Sequence, residues 1–194
     1  MQPRITRQAA HDEGGPPAED DAGLSAELAA VTAGARRRAL RDGDRQIDTA
    51  HLLHSLLESD PETRAVVGTP QQLARLLGYL VQRSIGYGLR WQSGVENSGT
   101  AAALPRPARY GGESKDTGDW SPAAAAAMED ARLRARHRGE PRANGIDLLA
   151  SLVVDPASRA VEVLERAGIP VPGLRARIEA GAGEFIETGT GEFT

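Results

Sequence analysis

Displaced by 96 residues, the chain falls on itself. Leu24-Ser25 meets Trp120-Ser121, Ala29-Ala30 meets Ala125-Ala126, Ala35-Arg36 meets Ala131-Arg132, and Arg38-Ala39 meets Arg134-Ala135. Gly43 meets Gly139, Leu52-Leu53 meets Leu148-Leu149, and Ser55-Leu56 meets Ser151-Leu152. Twelve of the 34 positions from 24 to 57 are identical. A one-residue gap then brings Asp60-Pro61 onto Asp155-Pro156 and Thr63-Arg64-Ala65-Val66 onto Ser158-Arg159-Ala160-Val161. Alanine-rich helices can match by chance, but the glycine, the Leu-Leu-x-Ser-Leu and the Asp-Pro-x-[Thr/Ser]-Arg-Ala-Val do not easily do so in one order. Such a repeat describes a structural unit that stacks on its neighbour. Each copy is only about 60 residues, a size at which a lone core is marginal. The expected architecture is therefore two four-helix units packed as one pseudo-twofold domain.

Local signals place helices in both copies and strands in neither. Leu28, Val31, Ala35 and Ala39 recur at helical spacing after Ser25, a candidate N-cap, and Gly43 ends the run. Leu52, Leu53, Leu56 and Leu57 form one broad apolar face after Thr49, another candidate N-cap. Asp60-Pro61 and Thr69-Pro70 each pair a capping side chain with proline at the first helical position. Ser121-Pro122 repeats that device, and helical signals continue to about Ala180. Alternating apolar and polar runs and hairpin dipeptides are missing, so the chain reads as all-α. Around the two units, 23–84 and 119–181, lie three segments without periodicity. Residues 1–22 read as a flexible N-terminal arm, 85–118 as a Gly/Pro-rich connector and 182–194 as a flexible tail. The connector carries Tyr87, Trp91 and Tyr110, and partial ordering over the groove between the repeats is expected of it.

Composition removes whole classes of function. With no cysteine, thiolate catalysis, disulfide frameworks, Cys-ligated zinc and iron–sulfur clusters are out. Of 23 basic residues only Lys115 is a lysine, and Gly112-Glu113-Ser114-Lys115-Asp116 lacks both the leading glycine and the hydroxyl of a phosphate-binding loop. No ATP-hydrolysing loop is present. The net charge of −4 has the wrong sign for a general nucleic-acid binder. No apolar run approaches the roughly 18–20 residues that span a bilayer, and the acidic start does not resemble a signal peptide. A cytoplasmic location is expected.

The repeats resemble the Clp N-terminal repeat, which stands in tandem at the front of the ClpA and ClpC protein-unfolding ATPases. The resemblance rests on Gly43-Asp44-Arg45-Gln46-Ile47-Asp48-Thr49-Ala50-His51-Leu52-Leu53-His54-Ser55-Leu56-Leu57, which follows the family's Ile-x-Thr-Glu-His-Leu-Leu-x-x-Leu-Leu run. The second copy, from Gly139 to Leu149, is more divergent. Its ending, Ala160-Val161-Glu162-Val163-Leu164-Glu165-Arg166-Ala167-Gly168-Ile169, is similar to the family's Ala-x-x-Val-Leu-x-x-Leu-Gly-Val.

The resemblance implies a docking module without the motor: an adaptor, decoy or regulator that binds a Clp unfoldase, its substrates or its adaptors. Some relatives recognise phosphorylated arginine through a hydroxyl opening each repeat and the Glu of Thr-Glu-His. Ser25 and Ser121 keep the hydroxyls, but Ala50 and Ile146 stand at the two glutamate positions, so weak or no phosphoarginine binding is expected. The family also binds cyclic peptides in a groove between the repeats. The matching positions are Trp120, Met128, Glu129, Arg132 and Arg36, and this gives an alternative function as a sequestering protein for macrocyclic inhibitors.

Other constellations carry less. His51 and His54 could share a metal, but no H-E-x-x-H register or third ligand accompanies them, so no metal site is expected. The arginine runs 36–38 and 132–138 fit solvated helix ends near the negative pole of the macrodipole, with nucleic-acid binding the weaker reading. Neither a catalytic serine elbow nor paired catalytic carboxylates are recognisable, and no cofactor or enzymatic activity is expected.

Overall fold

The computed structural model describes residues 23–84, residue 96 and residues 119–187. The expectations for the arm 1–22 and for Tyr87, Trp91, Tyr110 and Lys115 lie outside these residues. Among the described residues there are eight helices and no strand. They are α1 (Ala26–Asp42), α2 (Thr49–Ser59), α3 (Pro61–Val67), α4 (Pro70–Ser84), α5 (Pro122–His137), α6 (Gly145–Leu152), α7 (Arg159–Arg166) and α8 (Val171–Glu187). Helix α8 runs past residue 181, so helical backbone enters the segment expected to be a flexible tail. Once a helix is nucleated each added residue gains a hydrogen bond, and α8 uses that to extend.

The termini follow the sequence signals with one change. Ser25 accepts from Leu28 N at 3.1 Å and Ser121 from Ala124 N at 3.1 Å, so the same side chain caps the first helix of each repeat. Asp60 Oδ1 accepts from Glu62 N and Thr63 N ahead of α3. At α2 the cap is Asp48 rather than Thr49. Its carboxylate accepts from His51 N at 2.9 Å, and the His51 side chain answers the Asp48 N–H at 3.1 Å. This reciprocal box satisfies two otherwise orphaned donors and leaves the Thr49 hydroxyl for other work. Asn144 and Asp147 build the same box at α6. Gly43 and Gly139 hold φ of 72° and 78°, the left-handed turn that ends α1 and α5.

Helix α1 packs on α2 and α5 on α6, and α2 also meets α5, α6 and α7 across the repeats. Leu52, Leu53, Leu56 and Leu57 are fully buried, as are their counterparts Leu148, Leu149 and Leu152. Each such leucine contributes about 1.5–3 kcal/mol relative to exposure. Leu28, Ile47, Leu76, Leu80, Leu164 and Leu174 join them in one core shared by both repeats.

The opening of each repeat pairs with the loop of the other. Leu24 forms a parallel bridge with Ala143, and Ile47 forms one with Trp120. Ser25 N donates to Ala143 O at 2.9 Å and Ala143 N to Gly23 O at 2.9 Å, while Ser121 N donates to Ile47 O at 2.8 Å and Ile47 N to Asp119 O at 2.6 Å. Because 24 and 47 become 120 and 143 under the repeat displacement, the two bridges are the same contact made in opposite directions. Neither repeat can complete its own backbone hydrogen bonds here, which explains why a unit of this size comes as a pair.

Candidate functional site

The crossing places the first turn of α2, the start of α5 and the first turn of α7 side by side, and one residue from the connector closes the space between them. Glu96 is 6 % exposed. Its carboxylate accepts from Thr49 N at 2.9 Å, from Ser121 Oγ at 2.9 Å, from Arg159 N at 2.7 Å and from the Thr49 hydroxyl. The two amides belong to the first residues of α2 and α7, where helices leave donors unsatisfied and the dipole favours negative charge. Thr49 Oγ1 also accepts from Ala160 N at 3.0 Å. Beside it, the Arg159 guanidinium meets Asp48 Oδ2 at 2.5 Å. A buried carboxylate without partners would be costly, but this one has four donors and links both repeats to the connector.

A shallow cavity of about 170 Å³ opens next to this junction. Ala123, Ala126 and Ala127 of α5 give it an apolar floor, and Asp130, Ser151 and Ser158 give it polar edges. Thr49 lines it too, so the cavity and the Glu96 junction share a wall.

The equivalent junction in the other half is built differently. Gly145 stands where Thr49 stands, and a Cβ there would lie 1.9 Å from Asp60 Oδ2. That oxygen accepts from Thr63 Oγ1 at 2.8 Å. The capping carboxylate ahead of α3, from the other repeat, thus occupies the ground before α6, and only glycine leaves it room.

The residues expected to line an inter-repeat groove differ in burial and in partners. Met128 is 4 % exposed and belongs to the core, because α5 turns that face inward. Trp120 is half-buried and packs against the core, with its backbone paired to Ile47. Arg36 reaches Asp119 Oδ2 at 3.9 Å, beside the start of the second repeat, while Arg132 lies beside Gly23 at the start of the first. Glu129 is exposed and meets Arg136 at 3.2 Å and Arg132 at 3.9 Å. Ser25 caps α1, and Ser121 both caps α5 and donates to Glu96. Ala50, at the first family glutamate position, is fully buried, and Ile146 is packed partly against the core.

Three residues of the Glu96 junction had partial sequence signals, Ser121 as the capping hydroxyl that opens the second repeat. Arg159 sits in the repeated Asp-Pro-x-[Thr/Ser]-Arg-Ala-Val, and Thr49 in the family's Thr position. Glu96 had none, being one acid in a Gly/Pro-rich stretch. His54 is nearly buried, and burial together with the nearby Arg38 guanidinium lowers its pKa from 6.5 to about 4. It is therefore a neutral packing residue at neutral pH.

No family model matches the sequence, and no curated protein matches it. Solved structures do. The N-terminal domain of the caseinolytic protease-associated chaperone ClpD from Arabidopsis thaliana superposes with a TM-score of 0.56 at 18 % identity, covering 83 % of this chain and 95 % of that one. A chain from preliminary structural investigations of a malarial protein secretion system gives 0.54 at 13 % identity, covering 82 % and 94 %. Identity this low speaks to architecture alone. Superposition over nearly the whole neighbour gives this chain the fold of a Clp N-terminal domain.

Proposed function

We propose that the chain is a binding module that regulates a Clp unfoldase–protease by engaging its substrates or adaptors. The observation that carries this reading is the match to a Clp chaperone N-terminal domain over 95 % of that domain, in a chain whose 194 residues hold no ATP-hydrolysing loop. A docking domain needs a surface rather than a catalytic constellation. The Glu96 junction and the adjacent alanine-floored cavity supply one with apolar and hydrogen-bonding elements together. The role is binding rather than catalysis. The cytoplasm is the compartment we assign to it, in keeping with the absence, among the described residues, of any helix long and apolar enough to cross a membrane.

Sequestration of a macrocyclic inhibitor is the second reading, and cavity size weighs against an enclosed form of it. A space of about 170 Å³ is smaller than the roughly 300–1,000 Å³ of sites that engulf small molecules. Phosphoarginine is disfavoured by Ala50 and Ile146 and by the engagement of Ser121 with Glu96.

The test is a titration of the fluorescently labelled chain, read by anisotropy, against a purified Clp unfoldase, its adaptor and an unfolded model substrate. Saturable binding to any one supports the proposal and identifies the partner. Binding to none of the three, with saturable binding to a cyclic peptide, overturns it in favour of sequestration.

A further inference from the structure

The loop between α1 and α2 brings three ligating side chains together that the sequence keeps apart. His51 Nε2 lies 3.2 Å from Asp44 Oδ2 and 3.6 Å from Asp42 Oδ2, and the three ligand atoms are all within 4.8 Å of one another. The imidazole is 1 % exposed, and Nε2 makes no hydrogen bond. A buried polar nitrogen aimed between two carboxylates without a bond of its own calls for an explanation.

The second repeat supplies the contrast. Asp42, Asp44 and His51 become Arg138, Glu140 and Asp147 under the displacement. There the guanidinium of Arg138 binds both oxygens of Asp147, with Nη2 to Oδ2 at 2.8 Å. In the first half the same place holds two carboxylates and an imidazole, with no basic side chain at either acidic position.

We propose that Asp42, Asp44 and His51 form a binding site for a divalent transition-metal ion of the zinc class. An ion with bonds of about 2.0–2.1 Å in tetrahedral geometry holds its ligand atoms about 3.3 Å apart, close to the two separations to Nε2. The nitrogen donor selects a transition ion over magnesium or calcium, which take oxygen ligands. In the empty site Nδ1 accepts from Asp48 N at 3.1 Å, which puts the ring proton on Nε2; metal binding at Nε2 displaces that proton to Nδ1, where Asp48 Oδ1 at 2.9 Å accepts it in place of the amide bond. The Asp44 side chain is 28 % exposed, which gives the ion an entry path and room for water at its remaining position. His54, three residues on, faces Glu58 at 3.4 Å and takes no part.

The experiment is zinc titration of the chelator-stripped chain by calorimetry, with X-ray absorption on the loaded form. One ion per chain is expected, bound by one imidazole nitrogen and by oxygens at about 2.0–2.2 Å. Asp44→Asn, at a partly exposed loop position, should weaken binding roughly tenfold or more. The double substitution Asp42→Arg with His51→Asp copies the second repeat and should leave a folded chain with no site, while His54→Ala should bind zinc as the parent does. Absence of uptake, or uptake unchanged by Asp44→Asn, would overturn the proposal. So would imidazole nitrogen resonances showing His51 with both nitrogens protonated and unmoved by zinc, because the ring would then itself be the cation between the carboxylates.

Discussion

The first turns of α2 and α6 sit at equivalent places in the two repeats and are finished by different means. Before α2, a hydroxyl residue, Thr49, and a carboxylate from far along the chain, Glu96, close the junction. Before α6, glycine at position 145 makes way for Asp60, the cap of α3 in the first repeat. One junction depends on the connector and the other on a helix cap of the opposite repeat. A duplicated unit can thus keep its backbone while one junction takes its carboxylate from the connector and the other from the opposite repeat. The first copy carries the imidazoles, His51 and His54, where the other has Asp147 and Ala150.

The comparison breaks most readily at Glu96. Glu96→Ala leaves two helix-start amides and two hydroxyls without their acceptor and should cost about 3 kcal/mol in urea unfolding. Glu96→Gln, which keeps one acceptor oxygen, should cost about half of that. A loss below about 0.5 kcal/mol for Glu96→Ala would mean that the connector carboxylate is only resting on the surface.

His54 gives the next largest effect, and one with a sign. Its folded-state pKa of about 4 lies below the unfolded 6.5, so the unfolded chain takes up the proton first as pH falls. Stability should decline from about pH 6.5 through pH 4 and level off below, by at most about 3 kcal/mol from this group. His54→Ala, which copies Ala150 of the second repeat, should remove that part of the slope in thermal melts taken across the range.

Arg138→Ala would strand Asp147, which is 1 % exposed, although Asn144 N still donates to it at 3.0 Å. With the guanidinium itself partly exposed, about 2 kcal/mol is expected, read as a lowered denaturant midpoint with an unchanged slope. Gly145→Ala is the smallest of the series. The added methyl must push Asp60 off its helix cap, for about 1 kcal/mol. Pairing it with Asp60→Ala should cost less than the sum of the two changes, because the clash and the cap share one side chain.

Much of the fold was legible because it is written in short-range chemistry. Ser25, Asp60 and Ser121 act as caps, Gly43 and Gly139 end their helices, and the Leu-Leu-x-Ser-Leu faces are core, all within a few residues of the signals that marked them. The misplaced cap at α2 has a local cause. Asp48 and Thr49 are both good capping residues, and only the tertiary contact that engages the Thr49 hydroxyl decides between them. The site was less legible, since its decisive contact joins residues 47 apart in a stretch with no periodicity. Met128 was placed in a groove from family register, yet the way α5 is turned against α6 puts it inside. Asp42, Asp44 and His51 lie close in sequence, but two acids flanking a glycine carry no ligand signature until the turn folds them toward the ring.

The account's central claim is that this chain acts on a Clp system by binding, and the most direct measurement is the rate at which a reconstituted Clp unfoldase–protease degrades a labelled substrate as purified chain is added. The account predicts a saturable change in rate, weakened by Glu96→Ala in protein that remains folded. A rate that stays constant up to a large molar excess of folded wild-type chain, with ATP consumption also unchanged, would contradict it.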